Sequence, residues 1–219
     1  MAVQTELFQI ENWVMRIRVP EGTPPFPVVL LLHGFTGDET SMWVFAPRLP
    51  VKALLIALRG IFPTPLGGYS WVNQKIHKYP SLREFDTAIH SLDSLLKPIN
   101  FPDGDLSNIR MVGFSQGAAF MFGYALRYPE RISALAGLSG FVPEDSGSVI
   151  HTRPLAGKKV FLAHGTRDEL VPIERARASA TQLDEAGAEV SYCEYEMGHK
   201  LGAACFKSMG EWFKQTEVA

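Results

Sequence analysis

The residues best placed to do chemistry form the run Gly113-Phe114-Ser115-Gln116-Gly117. A glycine two places before a serine and another two places after it is the pattern of a nucleophile held at the tip of a tight turn between a strand and a helix. The flanking sequence supplies both elements. Ile109-Arg110-Met111-Val112 reads as a buried strand, and Ala118 to Phe122 opens a helical stretch. At such a turn the serine hydroxyl projects into a cleft, and side chains at 113 and 117 would collide with the neighbouring strand and helix.

A serine hydroxyl needs a histidine to take its proton, and that histidine works best when a carboxylate fixes its tautomer. Three histidines lie downstream: His151, His164 and His199. His151 sits in an irregular stretch, and His164 ends the apolar run Val160-Phe161-Leu162-Ala163, where packing and loop hydrogen bonding are its expected roles. His199 follows the last strand pattern, in Met197-Gly198-His199-Lys200, and is the expected base. Between these two histidines, the loop His164-Gly165-Thr166-Arg167-Asp168 offers Asp168 as the orienting acid, with Glu169 its adjacent competitor. Asp184 reads as a surface charge on a helix, and Asp145 follows the wrong strand.

An acyl-transfer site also needs donors for an oxyanion. The amide of Gln116, next to the nucleophile, is one. The loop His33-Gly34-Phe35-Thr36-Gly37-Asp38, after the buried run Val28 to Leu32, supplies the amide of Phe35 as the other. His33 itself reads as a hydrogen-bonded structural group and is assigned no proton transfer. Phe62, Tyr69, Trp71 and Phe141, together with Phe35, fall in segments expected near the mouth of the site. They would favour an apolar acyl or aromatic group, the alternative for each being simple loop packing. Arg59 is expected in a salt bridge.

These groups require a frame. Apolar strand patterns at Trp13–Val19, Val28–His33, Lys52–Leu58, Ile109–Phe114, Ile132–Leu138, Lys159–His164 and Glu189–Tyr195 alternate with helical ones at Gly117–Arg127, Ile173–Ala186 and Ala203–Lys214. A further helix is signalled by Ser81 and Glu84 as a capping box, followed by an apolar stripe of Leu82, Phe85, Ile89, Leu92, Leu96 and Ile99. Strands alternating with helices predict an α/β fold with a mostly parallel sheet covered on both faces, in one domain over residues 1–219. The long Gly- and Pro-containing segment from Arg59 to Pro80 reads as a functional loop and candidate lid.

The matching pieces are His33-Gly34-Phe35, Gly113-Phe114-Ser115-Gln116-Gly117, His164-Gly165-Thr166-Arg167-Asp168 and Gly198-His199, in that order between Val28 and Leu201. With them the chain resembles the serine-hydrolase branch of the α/β-hydrolase superfamily, specifically the phospholipase/carboxylesterase family that includes acyl-protein thioesterases. The resemblance implies an α/β-hydrolase core without a large cap domain. It also implies Phe35 and Gln116 as the oxyanion hole. Ala118 stands where thioesterase members typically carry a second glycine, and the segment between Gly34 and Gly37 is one residue longer than their usual form. Both departures bear on protein depalmitoylation more than on hydrolysis.

The leading expectation is a serine carboxylesterase working through Ser115, His199 and Asp168. Thioester or lysophospholipid cleavage is the second reading, and a ligand-binding protein of hydrolase fold without turnover is the third. Composition narrows the partners. Of 219 residues 46% are hydrophobic, and 21 Lys and Arg against 23 Asp and Glu give a net charge of −2. This predicts a small-molecule ester partner rather than nucleic acid, and no stable membrane insertion. No metal or cofactor is expected, since the histidines are scattered and there is no Cys/His spacing or P-loop. The two cysteines and the absence of a leader-like N-terminus predict a cytoplasmic protein. A homodimer is compatible with the sequence and not required by it.

Overall fold

A computed structural model describes residues 5–73, 79–200 and 202–216. The apolar runs of the sequence become the strands of one eight-stranded sheet. In chain order these are β1 (Glu6–Ile10), β2 (Trp13–Arg18), β3 (Phe26–Leu32), β4 (Leu54–Leu58), β7 (Gly104–Phe114), β8 (Ile132–Leu138), β9 (Lys159–Gly165) and β10 (Glu189–Tyr195). Two short strands, β5 (Phe62–Pro63) and β6 (Tyr69–Ser70), form a separate antiparallel hairpin. The helices are α1 (Asp86–Leu95), α2 (Gln116–Arg127), α3 (Gly147–Ile150), α4 (Ile173–Glu185) and α5 (Ala203–Thr216), and a 3-10 helix runs over Ser41–Arg48.

The spatial order is β1-β2-β4-β3-β7-β8-β9-β10. β2 pairs antiparallel with both β1 and β4, and every pairing from β4 to β10 is parallel. A parallel sheet needs apolar cover on both faces, which is why Val28 to Leu32 is a continuous buried run rather than an alternating one. The chain leaves β3 towards β4 on one side and later returns to its other side as β7. That reversal opens a crevice at the carboxyl ends of β3 and β7, where open α/β sheets bind ligands.

Three expectations change. β1 was not legible in the sequence: its residues are mostly exposed, and only pairing with β2 makes them a strand. β7 begins at Gly104, five residues before the apolar signal, because Gly104 pairs with Phe26, the first residue of β3. The stripe through Ile99 ends sooner than predicted. The Ser81 amide and hydroxyl do donate to the Glu84 carboxylate, at 2.7 and 2.9 Å, but α1 stops at Leu95 and Ile99 is 85% exposed. Pro98 disfavours helix at Lys97, and the Asn100 side chain donates to the freed Leu95 carbonyl at 2.8 Å.

Candidate active site

Ser115 links the end of β7 to the start of α2 with φ 54° and ψ −119°, a left-handed conformation costly for any residue with a Cβ. The two glycines make the turn feasible. A Cβ on Gly113 would lie 2.6 Å from the Gly117 carbonyl oxygen, and one on Gly117 would overlap the carbonyls of Leu32 and His33. The strain holds the hydroxyl in the crevice.

His199, on the loop after β10, completes the contact. Its Nε2 is 2.9 Å from Ser115 Oγ, and its Nδ1 is 2.7 Å from Asp168 Oδ2. The carboxylate accepts from Nδ1–H, so Nε2 is left free to accept the serine proton. Asp168 is itself well held. Its Oδ1 accepts the amides of Leu170 and Val171 at 2.9 and 2.8 Å. Glu169, its competitor in the sequence, is exposed, as are His151, Asp145 and Asp184. Gly165 lets the two loops meet, since a Cβ there would overlap the carbonyls of Met197 and Gly198.

The sequence did not foresee the reach of His164. Its buried Nε2 donates to the Val171 carbonyl at 2.8 Å and lies 3.3 Å from Asp168 Oδ2, so two imidazoles face one carboxylate oxygen. Burial holds the His164 pKa below its ordinary value. Its position at i, i+4 to Asp168 was the one available signal.

The two expected oxyanion donors flank the nucleophile. Gln116 opens α2, so its amide has no intrahelical acceptor, and among the described residues the Phe35 amide has no backbone acceptor either. Gly34 brings the Phe35 loop against the serine: a Cβ on it would sit 3.3 Å from Ser115 Cβ. The Gln116 side chain does separate work. Its Oε1 accepts from the Ser70 hydroxyl and the Trp71 amide, both at 3.1 Å, and ties the segment after β4 to the head of α2.

That segment is anchored at several further points from Arg59 to Asn73; residues 74–78 of the candidate lid lie outside the described residues. The Arg59 guanidinium grips Glu39 through Nε at 2.6 Å and Nη2 at 2.9 Å, as the sequence led one to expect of it. Thr36 N–H donates to the Tyr69 carbonyl, and Tyr69 N–H returns a bond to Gly37, both at 2.9 Å. The hairpin is therefore a brace for the loop that carries Phe35.

This packing corrects two of the predicted substrate-facing aromatics, Trp71 and Phe141. Trp71 is fully buried, stacked on Phe120 at 4.5 Å between ring centroids, with its indole N–H on the His33 carbonyl at 2.7 Å. Phe141 is buried edge-on against Tyr79. Phe62 and Tyr69 are half-buried in the hairpin, and the Tyr69 hydroxyl is taken by Arg59. Among the described residues an apolar cavity of about 420 Å³ opens beside His199, lined by Phe35, Met42, Val44, Phe45, Phe114 and Phe206 among others. Only Phe35 of the expected set lines it. Among the described residues no group of His, Cys, Asp and Glu is arranged to hold a metal ion, and no helix is long and apolar enough to cross a membrane.

A parallel sheet of this order, with its serine turn and acid and histidine loops at the carboxyl edge, is an α/β-hydrolase fold. Residues 16–216 match the family model described as Phospholipase/Carboxylesterase, and the chain belongs to that family. It is 34% identical to carboxylesterase SOBER1 of Arabidopsis thaliana over 111 residues. That alignment takes in 49% of this chain and 48% of the relative, so it spans about half the relative's length. Acyl-protein thioesterase 1 of Eremothecium gossypii is 28% identical over 181 residues, 74% of this chain and 75% of that protein. Among solved structures, a carboxylesterase of Bacillus cereus superposes with a TM-score of 0.83 at 22% identity, covering 94% of this chain and 100% of that one. At that identity the likeness is one of fold.

Proposed function

We propose that the chain is a carboxylic ester hydrolase working through an acyl-enzyme on Ser115. The observation that carries this reading is the continuous Ser115–His199–Asp168 hydrogen-bond chain, at 2.9 and 2.7 Å. Ser115 Oγ attacks the ester carbonyl carbon while His199 Nε2 takes its proton. The tetrahedral oxyanion is received by the amides of Phe35 and Gln116. His199 then gives the proton to the departing alcohol oxygen, and water enters by the same route to release the acid. Asp168 stays ionised and stabilises the imidazolium that forms in each half.

The cavity beside His199 supports an apolar substituent on the ester, since its walls are aromatic and aliphatic side chains and Lys200 is the cation at its edge. Initial rates over p-nitrophenyl esters from acetate to laurate, with Ser115→Ala alongside, test the reading. Hydrolysis that disappears in the variant is expected. Equal rates in the two proteins would rule the assignment out.

Thioester or lysophospholipid cleavage is the second reading, favoured by the longer alignment with a protein named acyl-protein thioesterase. A rate maximum on long-chain thioesters or lysolipids, rather than on short oxygen esters, would select it. Cys193 and Cys205 are both free thiols, which agrees with work in a reducing compartment such as the cytoplasm.

A further inference from the structure

His33 is fully buried one residue before the oxyanion loop, and every polar atom of its ring is engaged. Gly60 N–H points at Nε2 at 2.8 Å, so Nε2 must be the unprotonated acceptor. The proton is thereby forced onto Nδ1, which lies 2.7 Å from the Gly34 carbonyl oxygen and donates to it. This Nδ1–H tautomer is fixed from outside the loop, by a backbone amide at the end of β4.

The Gly34 carbonyl and the Phe35 amide belong to one planar trans peptide, so they point in opposite directions. His33 Nδ1–H and the Gly37 amide, at 3.0 Å, both hold the carbonyl, which turns the Phe35 amide away from the His33 ring, in a loop whose Gly34 lies against Ser115. The His33 side chain leaves no room for one at Gly37, whose added Cβ would be 2.8 Å from the His33 Cβ and from two of its ring atoms. We propose that His33 is a positioning residue for catalysis: its enforced Nδ1–H tautomer aims the Phe35 amide into the oxyanion hole. The proposal rests on the acyl-transfer reading above and assigns His33 no proton transfer of its own.

Two near-isosteric replacements separate the ring's two bonds. In His33→Asn the side-chain amide nitrogen takes the place of Nδ1 and still donates to Gly34. In His33→Gln the side-chain oxygen takes the place of Nε2, accepts from Gly60 and leaves the Gly34 carbonyl held by the Gly37 amide alone, at 3.0 Å. A purely structural role predicts similar losses for both, because each keeps one of two bonds. The positioning role predicts an order. His33→Asn keeps kcat within about tenfold of wild type, whereas His33→Gln loses on the order of 10²-fold in kcat with little change in KM, the signature of a lost oxyanion donor. Affinity for an alkyl boronic acid, which forms a tetrahedral adduct on the serine, falls in parallel.

Equal kcat in the two variants, or a loss confined to KM, overturns the proposal. A measurement on the unaltered protein guards against variants that fail to fold. In nitrogen NMR of histidine-labelled wild type, His33 should show a protonated Nδ1 and a bare Nε2. The opposite tautomer also overturns the proposal. Because the tautomer is read without turnover, a wild type lacking serine-dependent hydrolysis would count against the esterase reading and be distinguishable from failure here.

Discussion

At the scale of single residues, the site depends on how few states each group is allowed. Asp168 accepts two backbone amides on one oxygen and faces two imidazoles with the other, so its carboxylate has no freedom to rotate away. Asp168→Asn would keep this shape but present an amide where His199 needs an acceptor. We expect a kcat loss of about 10³- to 10⁴-fold with KM within a few-fold of wild type, measured on a p-nitrophenyl ester. His33 and His164 are both held below the ordinary value of 6.5, with burial the leading cause. Below about pH 6.5 the unfolded chain therefore binds protons that the folded chain refuses, and stability falls as the pH drops. Thermal melts at pH 7.5 and 5.5 should show a lower Tm at 5.5, with a smaller decline in His33→Asn. An identical Tm at both would contradict neutral, buried imidazoles.

At the scale of elements, the hairpin β5–β6 and the loop after β3 act as one body. Gln116 is the joint, next to the nucleophile, with its side chain holding Ser70 and Trp71. Gln116→Ala leaves the backbone donor in place but strands one buried donor, the Trp71 amide, at about 1–3 kcal/mol, while the Ser70 hydroxyl keeps the Val72 carbonyl at 2.9 Å. A Tm lower by several degrees is expected, with kcat reduced as a consequence of the loosened brace. Heating curves and rates on the same preparation check this. The Glu39–Arg59 pair belongs to the same body. Arg59 holds the Glu39 carboxyl below the usual carboxylate range, so its stabilisation is present at neutral pH and is lost as the pH falls below about 4.5 through the depressed value. Glu39→Gln should flatten that part of an acid-denaturation curve, and an unchanged curve would show that the pair contributes nothing.

At the scale of the whole molecule, the crevice that holds Ser115 is set by strand order and the apolar cavity beside it by what lies over the sheet. Phe45 from the 3-10 helix and Phe206 from α5 meet at 5.2 Å beside the cavity, though they are 161 positions apart in sequence. Phe206→Ala should move the rate maximum towards longer or bulkier esters at a cost of about 3–5 kcal/mol or less in stability, this ring being only partly buried. An unmoved chain-length profile would place the substrate elsewhere.

The sequence alone determined the parallel α/β frame and the identity of Ser115, His199 and Asp168 as the three residues to test. Those signals are local: a glycine pair around a serine, apolar runs, and loops that each follow a strand. It could not place Trp71 or Phe141, because an aromatic residue in a loop carries the same local signal whether it faces a substrate or fills the core. Nor could it show that Gly60 fixes the tautomer of His33, or that His164 shares the oxygen of Asp168 with His199. Those contacts join segments that come together only when the sheet closes. Their geometry was decided by tertiary packing, where the burial of each polar atom obliges it to find one particular partner.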